Sequence, residues 1–439
     1  MPDLLGLSAR IIDQGRADEP VNRVTQELSE VAEGVAVIES FSHCVALRTE
    51  AGLVAFDASG PASGRAVVES LRRWSTDPVD TVVYTHGHLD HVGGSAAFVD
   101  DAAGAGQRRP TFIGHENVIA RFARYRLTDG WNLAINRRQF GSGRNPDLGL
   151  GGAGPAGAGR VRFLPDDVAA PDISFPRELR LGVGGLEMEL RHARGETDDH
   201  LWAWIPARRA VACGDFLIWN FPNAGNPQKV QRYPSEWAAA LREMAGLEPD
   251  LLLPAHGLPI GGSERIRRVL EDVAGALEEL VSQVVEMMNA GATLDTIVHS
   301  VSVPADTLAR PYLRPLYDEP EFVIRNVWRL YGGWWDGNPA RLKPPPDLQL
   351  SLEVADLAGG APALARRAAG AADAGQLRLA CQLAEWAGLA GADDPEVQAI
   401  RAAVYDARRR QESSLMARGI FSAAARESQD KAPGTSAPG

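Results

Sequence analysis

The sequence contains the segment Thr85-His86-Gly87-His88-Leu89-Asp90-His91, which places three imidazoles and one carboxylate within six residues. It directly follows the apolar run Val82-Val83-Tyr84 and comes just before Gly93-Gly94. Imidazole and carboxylate are the usual ligands of a borderline divalent ion such as Zn²⁺, and a strand that ends in a tight glycine-containing turn can direct alternate side chains to one point. Because only nine histidines occur in 439 residues, three of them here favour a metal site over a solvated surface loop.

The composition bounds the class of protein. A length of 439 residues suggests two or three domains, and 45% apolar with 23% charged residues is ordinary globular composition. The formal charge of −12 argues against nucleic-acid binding and against docking on an anionic membrane. The expected partners are a small molecule and a second copy of the chain.

The cysteines and the N-terminal region bear on location. Cys44, Cys213 and Cys381 are odd in number and far apart, so no disulfide framework is expected and a reducing cytoplasm is the predicted compartment. Residues 1–22 hold six charged side chains and no apolar stretch long enough for a signal peptide, and nowhere do eighteen uninterrupted apolar residues occur. We therefore expect a soluble, unexported protein without membrane insertion.

Hydrophobic patterns predict an α/β region followed by helices. Short strands are predicted within 35–57, a helix over 63–74 and a buried strand over 79–84, and later strands over 186–190, 201–205, 210–213 and 251–254. Helices are predicted over 263–290, 322–331, 361–389 and 394–424, with a stiff linker at Pro344-Pro345-Pro346. The Gly-rich stretch 141–159 is predicted to be a surface loop, with a lid as the alternative.

The pattern His-x-His-x-Asp-His, here His86, His88, Asp90 and His91, resembles the signature of the metallo-β-lactamase fold, an αββα sandwich of hydrolases. The resemblance implies that His86, His88 and one later residue bind a first metal ion, while Asp90, His91 and another later residue bind a second. It also implies that a hydroxide bridging the two ions attacks an ester. Asp90 would then be both a ligand and the catalytic residue that orients this nucleophile.

The order of ligands in that family places the remaining ones at Glu196, Asp215 and His256. Asp215 follows a predicted strand, as a bridging carboxylate should, and His256 lies in a Pro-Ala-His-Gly segment that matches the last family motif. Most of the superfamily has a His where Glu196 stands. His200, four residues further on, therefore remains the alternative ligand from this segment.

A Glu at that position is typical of the alkyl sulfatase branch, where it lies ten residues before the proline that ends the next strand, as Glu196 does before Pro206. The segments 114–117 and 137–141 and the block 329–340, which contains Trp-Trp-Asp-Gly-Asn-Pro, also resemble that branch. The helical region 361–426 is similar to its dimerisation domain, which implies a homodimer. The sterol-carrier-like C-terminal domain of full-length alkyl sulfatases is missing, so binding of long aliphatic chains is less expected.

Two departures from the branch concern the substrate. Where the branch carries a Ser-His-Asn segment whose His protonates the leaving group, this chain has Glu321-Phe322-Val323, and a phenyl ring cannot donate a proton. Where the branch holds the sulfate with an Arg-Gly, this chain has Gln228-Lys229. Lys229 or Arg232 is expected to neutralise the oxyanion instead, although a lysine offers a point charge and not a bidentate fork.

Three further residues are predicted near the substrate: His115, Arg138 and Arg325. For His115 the alternative is an ordinary loop residue, and for Arg325 it is a solvent-facing side chain.

The sequence therefore predicts an α/β (αββα) metallo-β-lactamase-like catalytic domain over 1–262, followed by helices. These comprise a helical extension with the Trp-Trp block over 263–345, an all-α dimerisation-type domain over 352–427 and a disordered tail over 428–439. The predicted function is cleavage of a sulfate ester or related anionic ester with two divalent ions, Zn²⁺ being the expected metal. A carboxylic ester or lactone hydrolase, or a phosphodiesterase, on the same centre is the first alternative, and a non-catalytic assembly protein with structural metals is the second.

Overall fold

The computed structural model describes residues 3–140 and 162–432. The Gly-rich loop predicted over 141–159 lies outside the described residues, as does the part of the predicted tail after residue 432. The described chain divides into two compact units. The first contains residues 3–134 and 162–334, and the second contains residues 135–140 and 335–432.

Two sheets form the centre of the first unit. The seven strands of the first sheet lie side by side in chain order: β1 (Leu28–Ala32), β2 (Val35–Ile38), β3 (Cys44–Thr49), β4 (Gly52–Phe56), β5 (Val79–Val83), β6 (Thr111–His115) and β7 (Ile173–Phe175). β1 to β4 pair antiparallel, and β2 to β4 confirm the short strands predicted within 35–57; β4 to β7 pair parallel.

The second sheet has six strands in the order β13-β12-β11-β10-β9-β8. Their bounds are β8 (Glu178–Val183), β9 (Leu186–His192), β10 (Leu201–Ile205), β11 (Ala210–Gly214), β12 (Leu251–Pro254) and β13 (Ile260–Gly261). β11 and β12 pair parallel, and the other neighbours pair antiparallel. The carboxyl ends of β11 and β12 therefore lie at the same edge of the sheet, which is where Asp215 and His256 follow.

The two sheets pack face to face. Alternate side chains of a strand point to opposite faces, so each sheet has one face toward the other sheet and one toward the helices. In β4, Val54 and Phe56 belong to the core between the sheets, together with Leu190 and Leu253 of the second sheet. Leu53 and Ala55 of the same strand face the opposite side and pack against helices.

Helices cover both outer faces. The first sheet is covered by α2 (Gly64–Trp74), α4 (Ser95–Gly104) and α5 (Asn117–Leu127). The second is covered by α1 (Leu4–Gln14), α7 (Pro234–Gly246), α8 (Ser263–Asn289), α9 (Leu294–Ser300) and α11 (Pro320–Gly332). The remaining helices of this part of the chain are α3 (Leu89–Val92), α6 (Asp129–Phe140) and α10 (Ala305–Leu308). This order of layers confirms the predicted αββα sandwich.

The second unit is helical, as predicted. It contains α12 (Asp347–Leu357), α13 (Ala361–Asp373), α14 (Leu377–Ala390), α15 (Pro395–Gln411) and α16 (Leu415–Gln429). Ala368, Ala380 and Ala384 pack with Val404 in its core, where small side chains let the helices approach closely. α16 includes Ser428 and Gln429, the first two residues of the predicted tail.

The predicted boundary at residue 262 stays a prediction. In the structure, α8, α9 and α11 pack on the second sheet and belong to the first unit, so the contacts do not divide the chain at residue 262. None of the helices in residues 3–140 and 162–432 combines the length and the apolar character needed to cross a membrane.

Candidate metal centre

The predicted ligands of the first motif lie on the turn that follows β5. His86 and His88 lie on the loop, and α3 begins directly after them with Leu89, so that Asp90 and His91 fall in its single turn. Gly87 passes so close to α5 that a Cβ there would lie 2.9 Å from Cδ of Arg121 and 2.9 Å from Oδ2 of Asp199. Glycine is therefore required at the tightest point of this loop.

A first group of donor atoms comes from His86, His88, Glu196 and Asp215, whose ligand atoms all lie within 4.8 Å of one another. Nε2 of His86 lies 2.8 Å from Nδ1 of His88. Oε1 of Glu196 lies 3.6 Å from Nδ1 of His88, and Oδ2 of Asp215 lies 3.8 Å from Nε2 of His86. This group contains His86 and His88, which the resemblance assigns to the first ion, together with two of the later candidates, Glu196 and Asp215.

A second group comes from Asp90, His91 and His256. Oδ2 of Asp90 lies 3.4 Å from Nε2 of His256 and 3.6 Å from Nε2 of His91. Oδ1 of Asp215 lies 3.4 Å from Nε2 of His91 and 3.5 Å from Nε2 of His256. Asp215 thus offers Oδ2 to the first group and Oδ1 to the second.

The turn after β11 brings Asp215 into this position. Gly214 has a φ of 52°, in the left-handed region that favours glycine. A Cβ at Gly214 would also lie 2.8 Å from Cβ of Thr85 and 2.8 Å from Nε2 of His200. Both the backbone conformation and the space therefore require glycine before the shared carboxylate.

The donor set fits divalent ions. Nε2 of His91 and Oδ1 of Asp215 are buried polar atoms with no hydrogen-bond partner among the described residues, and such atoms are costly unless something binds them. Burial raises the pKa of Glu196 in spite of the guanidinium of Arg232, since the Asp215 carboxylate lies in the same group. A buried cluster of imidazoles and carboxylates in which two facing donor atoms lack hydrogen bonds fits the chemistry of a metal site.

The charges of the second group act on its histidines. Burial lowers the pKa of His91, but the carboxylates of Asp215, Asp57 and Asp90 outweigh it and hold that pKa well above its ordinary value. Burial instead dominates at His86, whose pKa is held well below its ordinary value. The surplus of negative charge is therefore concentrated around His91 and Asp215, where a cation would be most strongly attracted.

The positions of Glu196 and His200 differ. Glu196 reaches the first group, whereas Nε2 of His200 accepts a hydrogen bond from the N–H of Asp215 at 3.1 Å. The His200 ring also stacks on Phe216, with 4.2 Å between the ring centroids. This geometry favours Glu196 as the ligand and gives His200 the task of holding the Asp215 turn.

Several supporting residues could not be identified from the sequence. Asp57, directly after β4, accepts hydrogen bonds from the backbone N–H and the hydroxyl of Thr85 at 2.7 and 2.8 Å, and Oδ2 of Asp57 lies 2.7 Å from Nδ1 of His91. Asp199 accepts from the N–H of Gly87 and from Arg121. The one available signal was that Asp57 ends an apolar strand, as Asp215 does.

The residues predicted to bind substrate lie in different surroundings. Arg232 is 1% exposed, and its Nη1 lies 2.7 Å from Oε1 of Glu196. Lys229 is half-buried; burial lowers its pKa to about 8, with Arg232 acting in the same direction and Asp90 and Glu196 opposing it. Arg325 is half-exposed and pairs with Glu321 of its own helix.

The other two residues of this prediction are His115 and Arg138. His115 is buried; its Nε2 lies 3.0 Å from the carbonyl of Pro176 and its Nδ1 accepts from the N–H of Asn117. Arg138 lies in the part of α6 that belongs to the second unit. A substrate contact for these two residues stays a prediction.

Comparison with known families defines the class. Residues 37–256, half of the chain, match the Metallo-beta-lactamase superfamily, and residues 293–431 match the alkyl sulfatase dimerisation family. The chain belongs to the metallo-beta-lactamase superfamily. The second match and the relatives below confirm the predicted resemblance to the alkyl sulfatase branch.

The chain is 26% identical to a linear primary-alkylsulfatase of a Pseudomonas species over 77% of its length and 64% of the relative's. It is 27% identical to an (R)-specific secondary-alkylsulfatase of Pseudomonas sp., over 81% of its length and 55% of the relative's. It is also 27% identical to the alkyl/aryl-sulfatase BDS1 of Saccharomyces cerevisiae, over 66% and 46%. The chain thus spans less than two thirds of the length of these relatives.

A solved structure shares the fold. The stereoselective inverting sec-alkylsulfatase Pisa1 from Pseudomonas sp. superposes with a TM-score of 0.81 at 23% identity. The superposition covers 93% of this chain and 66% of that one.

Proposed function

We propose that this chain is a dinuclear metal-dependent hydrolase that cleaves a sulfate ester or a related anionic ester. The observation that carries the proposal is the position of Asp215, whose two oxygens face two separate groups of donor atoms. His86, His88 and Glu196 would complete one site, and Asp90, His91 and His256 the other. The similarity to three curated alkylsulfatases supports the sulfate ester as substrate.

Two divalent ions, with Zn²⁺ expected from the imidazole and carboxylate donors, would supply an activated water at neutral pH and a positive charge for the ester oxygens. Asp90 has a second task besides ligation. Its Oδ2 lies between His91 and His256, at the edge of the second group, and Asp90 is the least buried carboxylate of the two groups. We assign to it the orientation of the attacking water.

Lys229 is the proposed contact for the charged substrate oxygens. It is half-buried and lies within electrostatic range of Asp90 and Glu196, so its ammonium is close to the centre without being one of its donors. Arg232, predicted for the same task, is buried against Glu196. We therefore propose that Arg232 positions Glu196 and that Lys229 attracts the anion.

A homodimer is the proposed assembly. The match of residues 293–431 to a dimerisation family supports it, and so does the exposure of the apolar segment around Trp334, which is 71% exposed. The cytoplasm is the proposed location, since the three cysteines are free thiols, as a reducing compartment keeps them.

Turnover of sulfate, phosphate and carboxylate esters by the metal-loaded protein tests the function. Hydrolysis of decyl sulfate and 4-nitrophenyl sulfate is expected, with Asp90→Ala as the blank. Cleavage of a phosphate or carboxylate ester without any sulfate ester would replace the proposal by the alternative hydrolase. Purified protein that binds no zinc, iron or manganese would remove the metal-dependent reaction altogether.

A further inference from the structure

Ester hydrolysis needs a proton donor when the leaving group is an alkoxide, because an alkoxide is strongly basic. Four of the nine histidines belong to the two donor groups. The other five each hold a backbone group through a ring nitrogen: His43, His115, His192, His200 and His299. The donor must therefore be sought among other residue types.

The segment between α10 and α11 is hydrogen-bonded to the loop that contains Phe221, Gly225 and Asn226. The carbonyl of Arg314 accepts a hydrogen bond from the N–H of Phe221 at 2.9 Å. Oδ2 of Asp318 accepts from the N–H groups of Gly225 and Asn226 at 2.6 and 3.1 Å. A Cβ at Gly225 would lie 2.4 Å from the carbonyl carbon of Phe322, so α11 begins in direct contact with this loop. Residues 314–322 are thereby held in one position beside the loop.

The same loop reaches Glu196. Nδ2 of Asn223 donates a hydrogen bond to Oε1 of Glu196 at 2.5 Å. Further along, Gln231 and Arg232 hydrogen-bond to Asn326 of α11, and Arg232 pairs with Glu196. The loop therefore contacts α11 on one side and reaches Glu196 of the first donor group through Asn223 and Arg232.

Tyr317 lies in this segment, directly before Asp318. Its side chain is half-buried, and the charged groups that act on its phenol are Glu196, Asp90, Arg232 and Asp318. Burial, followed by the charges of Glu196 and Asp90, raises the pKa of Tyr317, so the phenol keeps its proton at neutral pH. Tyr317 is therefore a neutral donor in a segment that is fixed to the loop whose Asn223 contacts Glu196.

We propose that Tyr317 is the proton donor of the reaction proposed above, on which this inference rests, and that its hydroxyl contacts the bridging oxygen of the ester. In a sulfate ester R–O–SO₃⁻, the water oxygen forms a bond to sulfur and the bond between sulfur and the R–O oxygen breaks. The electron pair of that bond stays on the R–O oxygen, which takes the proton of Tyr317 and leaves as R–OH. The proton that the water loses returns to the phenolate through solvent, so the products are the alcohol and hydrogensulfate.

Tyr317 and Lys229 are given different tasks. The ammonium of Lys229 attracts the negative charge that the sulfate carries throughout the reaction. This attraction requires no proton transfer. The phenol of Tyr317 is neutral and can give a proton to an oxygen that becomes basic only as the ester bond breaks.

The test compares two leaving groups in Tyr317→Phe, which removes only the hydroxyl. An alkoxide leaving group needs the proton, whereas 4-nitrophenolate is a weak base that leaves without it. We expect kcat/KM to fall by about 10²–10⁴-fold with decyl sulfate and to change little with 4-nitrophenyl sulfate. An equal loss with both esters would overturn the proposal, because a structural defect does not distinguish leaving groups.

Tyr312→Phe is the matched control. Tyr312 lies five residues earlier, and its hydroxyl donates a hydrogen bond to Oδ2 of Asp272 at 2.5 Å. Removal of this hydroxyl is expected to leave the ratio of the two kcat/KM values unchanged. The same selective loss in this variant would overturn the assignment to Tyr317.

Two measurements independent of rate complete the test. In oxygen-18 water the label is expected in the sulfate, and label in the alcohol would overturn the proposal, because cleavage of the carbon–oxygen bond needs no proton on that oxygen. The metal content of Tyr317→Phe is expected to equal that of the wild type, and a loss of metal would make Tyr317 part of the binding site instead.

Failure of the proposed function remains distinguishable from failure of this inference. If the wild type cleaves another ester class, the same comparison is made with an alkyl and a 4-nitrophenyl ester of that class. The sulfate assignment then fails, while the ratio in Tyr317→Phe still decides the role of Tyr317. A wild type that cleaves no ester overturns both.

Discussion

Oδ2 of Asp57 lies 2.7 Å from Nδ1 of His91, and neither side chain is more than 1% exposed. A carboxylate on one ring nitrogen keeps a proton there and leaves the other nitrogen free as a metal ligand. Nε2 of His91 is the atom that faces Asp90 and Asp215. Asp57 therefore fixes both the tautomer and the orientation of His91.

Asp57→Asn should weaken metal binding by about 10–100-fold, since an amide can present a donor to Nδ1 where the carboxylate presents an acceptor. Competition with a chromogenic chelator measures the affinity. Asp80→Asn is the control, because Asp80 pairs with Arg108 at the surface. Equal affinities of Asp57→Asn and the wild type would contradict the role given to Asp57.

The pair of Arg232 and Glu196 gives a prediction about stability. Both side chains are buried, and removal of one partner leaves an uncompensated buried charge. At about pH 9, above the raised pKa of about 8 of Glu196, Arg232→Met should destabilise the metal-free protein by about 3–5 kcal/mol, measured by urea unfolding. Adding Glu196→Gln should recover part of this loss, because the neutral amide can still accept from Asn223. Additive effects of the two substitutions would show that the pair is not coupled.

The predicted ligands could be found from the sequence because they follow apolar strands. His86 lies after β5, Asp215 after β11 and His256 after β12, so each is visible as a polar residue at the end of a buried run. Glu196 lies in a loop, and only the resemblance to a known branch pointed to it. Local pattern thus marks candidate ligands at strand ends, while the order of ligands in the family predicted the later three, including Glu196, which no strand marks.

The supporting residues could not be predicted, because their contacts join distant parts of the chain. Arg232 and Asn223 both reach Glu196, and neither lies in a motif. Tyr317 precedes a helix that the sequence does predict, but nothing local indicates that Asp318 binds the loop at Gly225. Such contacts depend on the packing of α11, which only the folded chain defines.

Lys229 should affect the binding of anionic substrates more than their conversion. Lys229→Met removes the proposed attraction for the sulfate, so KM should rise by about 10-fold or more, corresponding to about 1.4 kcal/mol, with the same factor for decyl and 4-nitrophenyl sulfate. Lys343→Met serves as the control, since Lys343 is exposed. An unchanged KM in Lys229→Met would rule out the contact.

Asp318 makes stability depend on pH. Burial raises its pKa from 3.8 to about 6, although backbone N–H groups of Asn226, Gly225 and Glu319 oppose the shift. The protonated carboxyl is therefore favoured by folding, and this contribution is present below pH 3.8 and is lost as the pH rises through about 6. It amounts to about 3 kcal/mol.

Asp318→Asn copies the neutral form, so its stability relative to the wild type should increase between pH 4 and pH 7, measured by urea unfolding at each pH. Asp306→Asn, at an exposed position, should show no such trend. A constant difference between wild type and Asp318→Asn across this range would mean that Asp318 keeps an ordinary pKa.

The exposed segment before and within α12 predicts self-association. Residues 331–350 are all exposed apart from the half-buried Asp336 and Gly337, and they include Trp334 and Leu348. Leu352, further along α12, is also exposed. Leu348 and Leu352 are four residues apart, so they lie on the same face of α12. Exposed apolar side chains on one face of a helix are typical of a surface that a partner covers.

Sedimentation at micromolar concentration should therefore give twice the 47.1 kDa mass of the chain. Leu348→Asp combined with Leu352→Asp should shift the protein to the monomer, because two carboxylates would be desolvated in the interface. Leu127→Asp is the control, since Leu127 is 85% exposed and lies outside the second unit. A wild type that sediments as a monomer, or a double variant that remains dimeric, would exclude this face of α12 from the interface.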